Sequence, residues 1–238
     1  MISPISIKSI HCLVDEKYDC LYDNFLSSIK DSKIEVVKHE IKIIHDEISE
    51  KAYEGTLAWE TNQFKFAMRN KIQKVIKSLK ENKGAVIWSD IDIVFLKPMS
   101  KICENLTRTI NYCDLAVSPE WERNINTGFF VARCNRISIN FFEKLLHMIV
   151  EKNETEQPLA NNLLGTRERQ GINKFPIRWR RLSEAYWNMT LNTPLNKSSF
   201  FIHANWPGGF EKYTKEKLNG DHFQKKKQII DFFLNSLN

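Results

Sequence analysis

Two aspartates, one residue apart, interrupt an apolar run near the middle of the chain: Gly84-Ala85-Val86-Ile87-Trp88-Ser89-Asp90-Ile91-Asp92-Ile93-Val94-Phe95-Leu96. Ala85 to Trp88 follows a glycine without a polar break and reads as a strand buried on both faces. On an extended chain, residues i and i+2 point to the same side, so Asp90 and Asp92 are expected to face one point. Two unpaired carboxylates in such surroundings cost several kcal/mol, so they need a cation or a solvated strand end. A strand running out into a polar turn would give the same pair. However, Ile93 to Leu96 resumes the apolar run, which a simple exit does not do. A divalent metal carrying an anionic ligand meets the electrostatic need.

The remainder of the chain can build a fold around this stretch. Its 238 residues suffice for one large domain or two small ones, and 42% hydrophobic content supports a core. The net charge of +6 suits anionic ligands such as nucleotide diphosphates, nucleic acid or a membrane surface. No basic cluster alternates with aromatic residues, which argues against a nucleic-acid partner. The five cysteines (Cys12, Cys20, Cys103, Cys113 and Cys134) are odd in number and lack C-x-x-C spacing. They indicate neither a zinc site nor a disulfide framework, and they fit a reducing, cytoplasmic setting. No apolar run reaches the length of a membrane span, so a soluble protein is expected.

Lys8 to Val14 reads as a first strand, Tyr18 to Lys30 as an amphipathic helix, and Ile34 to Ile41 as a second strand. Strand, helix, strand at this spacing implies an α/β fold with a mainly parallel, nucleotide-binding sheet flanked by helices. In such sheets the exit of the first strand, here at Val14 and Asp15, is where a nucleotide base enters. Trp59 to Lys80 is the longest helix candidate, with Phe64, Met68, Ile72, Val75 and Leu79 as its stripe. Lys71 falls at the margin of that stripe, where a lysine ordinarily snorkels to water.

Downstream, helices are expected over Ser100 to Thr109, Ile137 to Val150 and Gln157 to Leu164. Strands are expected at Asp114 to Ser118, Thr127 to Cys134 and Phe200 to Ala204. A last helix carries Ile229, Ile230, Phe233, Leu234 and Leu237 behind Lys225-Lys226-Lys227. Such a basic amphipathic helix either packs on the core with solvated lysines or makes a weak peripheral membrane contact. The chain shows no repeat or linker and reads as one domain over residues 1–238. Its nucleotide-binding half is expected over about residues 1–97 and its acceptor side over 98–238.

An apolar strand ending in D-x-D serves two chemistries. Phosphotransferases of the haloacid dehalogenase type open their domain with it, whereas here a whole βαβ unit precedes it. Metal-dependent glycosyltransferases of the GT-A fold place it after a nucleotide-binding half. WSDIDIVFLKP, NTGFFVARCN, EQPLANNLL and HANWPGGFEK, in that order, resemble the D-x-D nucleotide-diphospho-sugar transferases, which include plant xylosyl- and galactosyltransferases. The likeness spans roughly Phe64 to Lys212.

The resemblance implies roles residue by residue. Asp92 is similar to the family's direct metal ligand, and Asp90 to the residue that meets the ribose and the metal shell. His203 stands where the family supplies a third ligand, although a lone strand-end histidine is more often structural. Carboxylate oxygens suit Mn²⁺ or Mg²⁺. Gly209 and Lys212 resemble a G-x-x-K clamp on the diphosphate, at a longer distance from the histidine than in relatives. Lys71 aligns with a lysine of the helix before the D-x-D strand, a second phosphate partner. Asn126-Thr127-Gly128 resembles a loop touching donor sugar and acceptor hydroxyls, and is also an ordinary turn into a strand.

Glu156 and Gln157 resemble an acidic-Gln pair near the anomeric carbon and join Asp90 and Asp92 as catalytic candidates. Glu156 would be the base of an inverting enzyme. In a retaining one the same place would steady the oxocarbenium-like centre or orient the acceptor. Trp121, Trp179, Trp187 and Trp206 are stacking candidates for an acceptor sugar, and equally candidates for the core. The expected activity is metal-dependent transfer from a UDP-sugar to a glycan or other hydroxyl acceptor, with retention. The rivals are a haloacid-dehalogenase-type phosphotransferase and a non-catalytic nucleotide-sugar or carbohydrate-binding module.

Overall fold

The computed structural model describes residues 5–29, 33–43, 61–166, 174–188, 198–205, 210 and 217–236. The chain opens with β1 (Ile7–Asp15), a 3-10 turn (Glu16–Tyr18), α1 (Asp19–Ser28) and β2 (Glu35–Ile41). β1 and β2 pair in parallel, as the βαβ spacing requires. Next come α2 (Asn62–Glu81), β3 (Ala85–Ser89), β4 (Ile93–Phe95), α3 (Met99–Ile110), β5 (Leu115–Pro119) and β6 (Ile125–Arg133). The chain continues through α4 (Arg136–Lys152), α5 (Glu156–Leu163), β7 (Trp179–Arg181), β8 (Tyr186–Asn188), β9 (Phe201–His203) and α6 (His222–Ser236).

The large sheet runs β2-β1-β3-β6-β5-β7, and only β6 opposes the direction of the other five strands. Along β3 the period of two sends Val86 and Trp88 into one core and Ala85 and Ile87 into the other. Helices α2, α4 and α5 cover the first face through Ile72, Val75, Phe141, Leu145 and Leu159. Phe25 of α1, Ile102 and Leu106 of α3, and Phe95 and Phe201 cover the second. Each such side chain contributes about 1.5–3 kcal/mol on leaving water.

Helix α2 begins later than its apolar spacing suggests. Thr61 caps it by accepting a hydrogen bond from the Phe64 N–H at 3.2 Å. The turn beyond it passes through Gly84 at φ +85°, where a Cβ would lie 2.4 Å from the Ser6 carbonyl oxygen. Only glycine fits there.

A second sheet, β4-β9-β8, is absent from the expectations above. The apolar run Gly84 to Leu96 is therefore two strands in two sheets. Asp90 to Asp92 form the turn between them, rather than a continuous extended segment. β4 pairs antiparallel with β9, placing Ile93 opposite His203, and the Ala204 N–H donates to the Asp92 carbonyl at 2.9 Å. The short length of β4, three residues, hid this break behind its hydrophobicity.

Helix α6 starts in a reciprocal capping box: the Gln224 N–H donates to Asp221 and the Asp221 N–H to the Gln224 side chain. Ile229, Ile230 and Phe233 are buried with Val94, Ile202 and Phe210. Ile229, Ile230 and Phe233 thus pack on the protein and are not available to the expected membrane contact, while Leu237 lies outside the described residues. No helix among the described residues is long and apolar enough to cross a membrane, and all five cysteines are free thiols.

Between β1 and α2, on the first face of the large sheet, His11 is buried and stacks on His39 and Trp88 with ring centroids 5.3 and 6.0 Å away. Its nitrogens contact the Ser9 and Ser78 hydroxyls at 2.9 and 3.0 Å. Burial, and then His39, lower the His11 pKa to about 4. The unfolded chain takes up this proton below about pH 6.5 and the folded chain resists it, so stability falls as pH drops from 6.5 towards 4. The loss reaches at most about 3 kcal/mol. A melting-temperature profile against pH should show this fall, and His11→Gln should flatten it. An unchanged slope in the variant would assign the fall to other groups.

Candidate functional site

Asp90, Asp92 and His203 converge where the two sheets meet. One ligand atom from each lies within 4.8 Å of the others. The imidazole Nε2 of His203 is 3.1 Å from Asp92 Oδ1 and 3.9 Å from Asp90 Oδ2. The antiparallel pairing of β4 with β9 brings them together, because it fixes His203 beside the turn that carries both aspartates. His203 is buried, and its Nδ1 has no hydrogen-bond partner among the described residues.

Burial acts to raise the Asp92 pKa, but Lys226 and then His203 hold it well below the usual carboxylate range. A set of two carboxylates and one imidazole is a donor set that Mn²⁺ or Mg²⁺ accepts. The residues therefore fit a divalent ion.

Gly128 makes this convergence sterically feasible. It lies in β6, where the β5–β6 register shifts between Val117 and Ser118, and its carbonyl accepts the Asp90 N–H at 2.6 Å. A Cβ at Gly128 would lie 2.2 Å from His203 Cε1, 2.8 Å from Asn126 Oδ1 and 2.9 Å from Asp90 Oδ2. The strand expected from Thr127 begins two residues earlier, at Ile125, so Asn126, Thr127 and Gly128 are buried within it rather than in the loop that the resemblance implied. Asn126 Oδ1 accepts the Gly128 N–H at 2.8 Å, while its amide donates to Glu120 at 2.7 Å. Glu120 escaped notice in the sequence because nothing local marks it.

Lys71 neither snorkels nor presents a cation to solvent. Its stem crosses the core from α2 and its ammonium donates to Asp90 Oδ1 at 2.8 Å, the Thr127 carbonyl at 3.1 Å and Glu156 Oε1 at 3.4 Å. Burial acts to lower its pKa, yet Asp90 and Glu156 outweigh it and leave the pKa above the usual lysine value. A cation so engaged balances two carboxylates, which argues against the expected contact with phosphate. Glu156, at the first turn of α5, is buried and also accepts the Thr127 hydroxyl at 3.0 Å. The Gln157 side-chain oxygen accepts the Thr127 N–H at 3.1 Å. Lys71, Asp90, Thr127, Glu156 and Gln157 are thereby one connected network, contiguous through Asp90 with His203 and Asp92.

Val14 is buried in the core with Ile10, Cys12 and Ile87 and offers a ligand no side chain. Beside it, Asp15 accepts the Ile43 N–H at 3.1 Å at the strand end. Trp121 is exposed on the turn between β5 and β6, next to Glu120, whereas Trp179 packs against the core. Gly209, Lys212 and Trp206 lie outside the described residues. Lys226 of α6 is the addition that the sequence did not single out. Its ammonium lies 2.5 Å from Asp92 Oδ2. The signal for it was its spacing: Lys226 precedes Ile229 and Ile230 by three and four residues, on the face that α6 buries.

Comparison with known proteins bears on the whole arrangement. The sequence matches the nucleotide-diphospho-sugar transferase family over residues 25–219. It matches no curated protein sequence. Among solved structures, a glycosyltransferase involved in glycosylation of the major capsid of PBCV-1 superposes with a TM-score of 0.57 at 12% identity. That match covers 95% of this chain and 99% of the other. GlyE of Streptococcus pneumoniae TIGR4 gives 0.57 at 11% identity, over 98% of this chain and 64% of GlyE. An active-site mutant of LgtC gives 0.51 at 12% identity, over 87% and 94%. At these identities the structural likeness speaks for a shared fold.

Proposed function

The chain belongs to the nucleotide-diphospho-sugar transferase family, and on that premise we propose that it moves a sugar from a UDP-sugar to a hydroxyl acceptor in a divalent-metal-dependent, retaining reaction. It is a glycosyltransferase with the GT-A fold. The convergence of Asp90, Asp92 and His203 within 4.8 Å is the observation that carries the metal dependence.

In this scheme Asp90, Asp92 and His203 would hold the ion. When bound, Mn²⁺ or Mg²⁺ would supply Lewis-acid stabilisation of the charge developing on the departing nucleoside diphosphate. The other groups belong to the protein. Lys71 pairs with both Asp90 and Glu156 and so fixes the two carboxylates in place. Thr127 donates its hydroxyl to Glu156 and its N–H to Gln157, which sets both side chains at the start of α5. In a retaining reaction that pair would steady the sugar's positive charge or orient the acceptor. An inverting base must take a proton from the acceptor hydroxyl. Glu156, buried and already accepting from Lys71 and Thr127, is poorly disposed to do so.

The haloacid-dehalogenase reading is disfavoured by the family match and by the βαβ unit that precedes the aspartates. The non-catalytic alternative differs only in turnover. Both rivals separate from the proposal in a thermal-shift panel of nucleotide sugars, with and without Mn²⁺, followed by donor hydrolysis. A UDP-sugar at ~100 times its Kd should add about 2.7 kcal/mol. For a chain of this size that is a rise of roughly 5–10 °C, dependent on Mn²⁺. Asp92→Asn should remove both the Mn²⁺-dependent part of the shift and the slow hydrolysis. A shift indifferent to Mn²⁺ would defeat the metal assignment, and a shift without hydrolysis would favour the binding module.

A further inference from the structure

Both oxygens of Asp92 are already engaged, Oδ1 by His203 and Oδ2 by Lys226. Lys226 belongs to the turn of α6 that precedes Ile229, Ile230 and Phe233, and these three pack on Val94, Ile202 and Ala204. Those partners sit in or beside β4, which follows Asp92, and β9, which ends at His203. Helical periodicity thus aims the middle lysine of Lys225-Lys226-Lys227 at the site, while Lys227 turns outward to Asp231 at 2.9 Å. Three carboxylates, Asp90, Asp92 and Glu156, face two ammonium groups, Lys71 and Lys226, leaving one net negative charge. A divalent cation arriving alone must compete with the Lys226 ammonium for Asp92 and then face it as a like charge. A diphosphate removes that conflict, because its oxygens accept the ammonium as Asp92 gives it up. The four-carbon stem of lysine permits the short transfer.

Resting on the donor site proposed above, we propose that Lys226 is an exchangeable counter-charge: it holds Asp92 before the donor arrives and passes to the diphosphate when the cation takes Asp92. Cation and nucleotide consequently bind cooperatively, and each raises the affinity of the other by the same factor. Lys226 is a positioning residue for the donor, supplied from the end of the chain.

The test is Mn²⁺ binding to the full chain, with and without UDP, in wild type, Lys226→Gln, Lys226→Arg and Lys227→Gln. Lys226→Gln should bind Mn²⁺ alone about tenfold more tightly and, at saturating Mn²⁺, bind UDP about tenfold less tightly. A merely structural lysine would not move these two affinities in opposite directions. Lys227→Gln removes the same charge and should match wild type, as should Lys226→Arg. Equal Mn²⁺ affinity in the two glutamine variants, or weaker binding in Lys226→Gln, would overturn the proposal. Wild type supplies a check that needs no variant: UDP should tighten Mn²⁺ binding at least about tenfold, and no change would also overturn it. Absence of Mn²⁺ binding to wild type under both conditions would instead bring down the donor-site reading itself.

Discussion

Gly128→Ala is expected to slow Mn²⁺-dependent donor hydrolysis on the order of a hundredfold while leaving a folded protein. The added methyl would stand 2.2 Å from His203 Cε1 and 2.9 Å from Asp90 Oδ2, distances at which something must move. The backbone of β6 is pinned here, since the Gly128 carbonyl accepts the Asp90 N–H and its own N–H donates to Asn126. His203 is buried, and β9 pairs with both β4 and β8, so the ring has little room to retreat. The imidazole or the Asp90 carboxylate must give way, which separates the three ligands. Overpacking of this kind costs about 1–3 kcal/mol, a modest loss of stability. A displacement of ~1 Å at a catalytic site costs on the order of a hundredfold in rate. Mn²⁺ titration with circular dichroism separates these two losses. Wild-type Mn²⁺ affinity in the folded variant would show that the ligands do not depend on this close approach.

The second large effect is on stability. Lys71→Met should lower stability by about 3–5 kcal/mol, the usual result of stripping the partner from a buried charge. Methionine fills much of the lysine stem's volume, so the loss reports the ammonium rather than a cavity. Glu156 bears most of it, being buried, whereas Asp90 has a side chain 37% exposed and can draw on water. At roughly 2–4 °C per kcal/mol for a chain of this size, the melting temperature should drop by about 6–20 °C. Lys71→Met combined with Glu156→Gln should recover more than half of that, because an amide accepts the Thr127 hydroxyl without a buried charge. Equal melting temperatures for the single and double variants would show that the cost does not arise from Glu156.

Much of the architecture was legible because it follows from local pattern. The βαβ opening, the long helix before the aspartates and the two-sided burial of Ala85 to Trp88 each follow from hydrophobic period and element length. Helix ends were less legible. The start of α2 depends on a single cap, that of Thr61, which apolar spacing does not register. The register of Lys71 was read only as marginal, since periodicity locates a residue on a helix face but not the acceptors opposite it. Those acceptors come from the turn after β3, from β6 and from α5, up to 85 residues further along the chain.

The pair Asp90 and Asp92 marks the same division. Sequence alone determined that two carboxylates interrupt an apolar run after a βαβ unit, and hence that they need a cation or a solvated strand end. Only the tertiary structure decided which cations are within reach. An extended chain would have turned both side chains one way. Instead a sheet boundary falls between Ser89 and Ile93, and the pairing of β4 with β9 seats His203 against the turn. The packing of α6 on those same strands then delivers Lys226 to Asp92 across 134 residues. Contacts between residues so distant in the chain depend on how elements pack, and no local spacing encodes them.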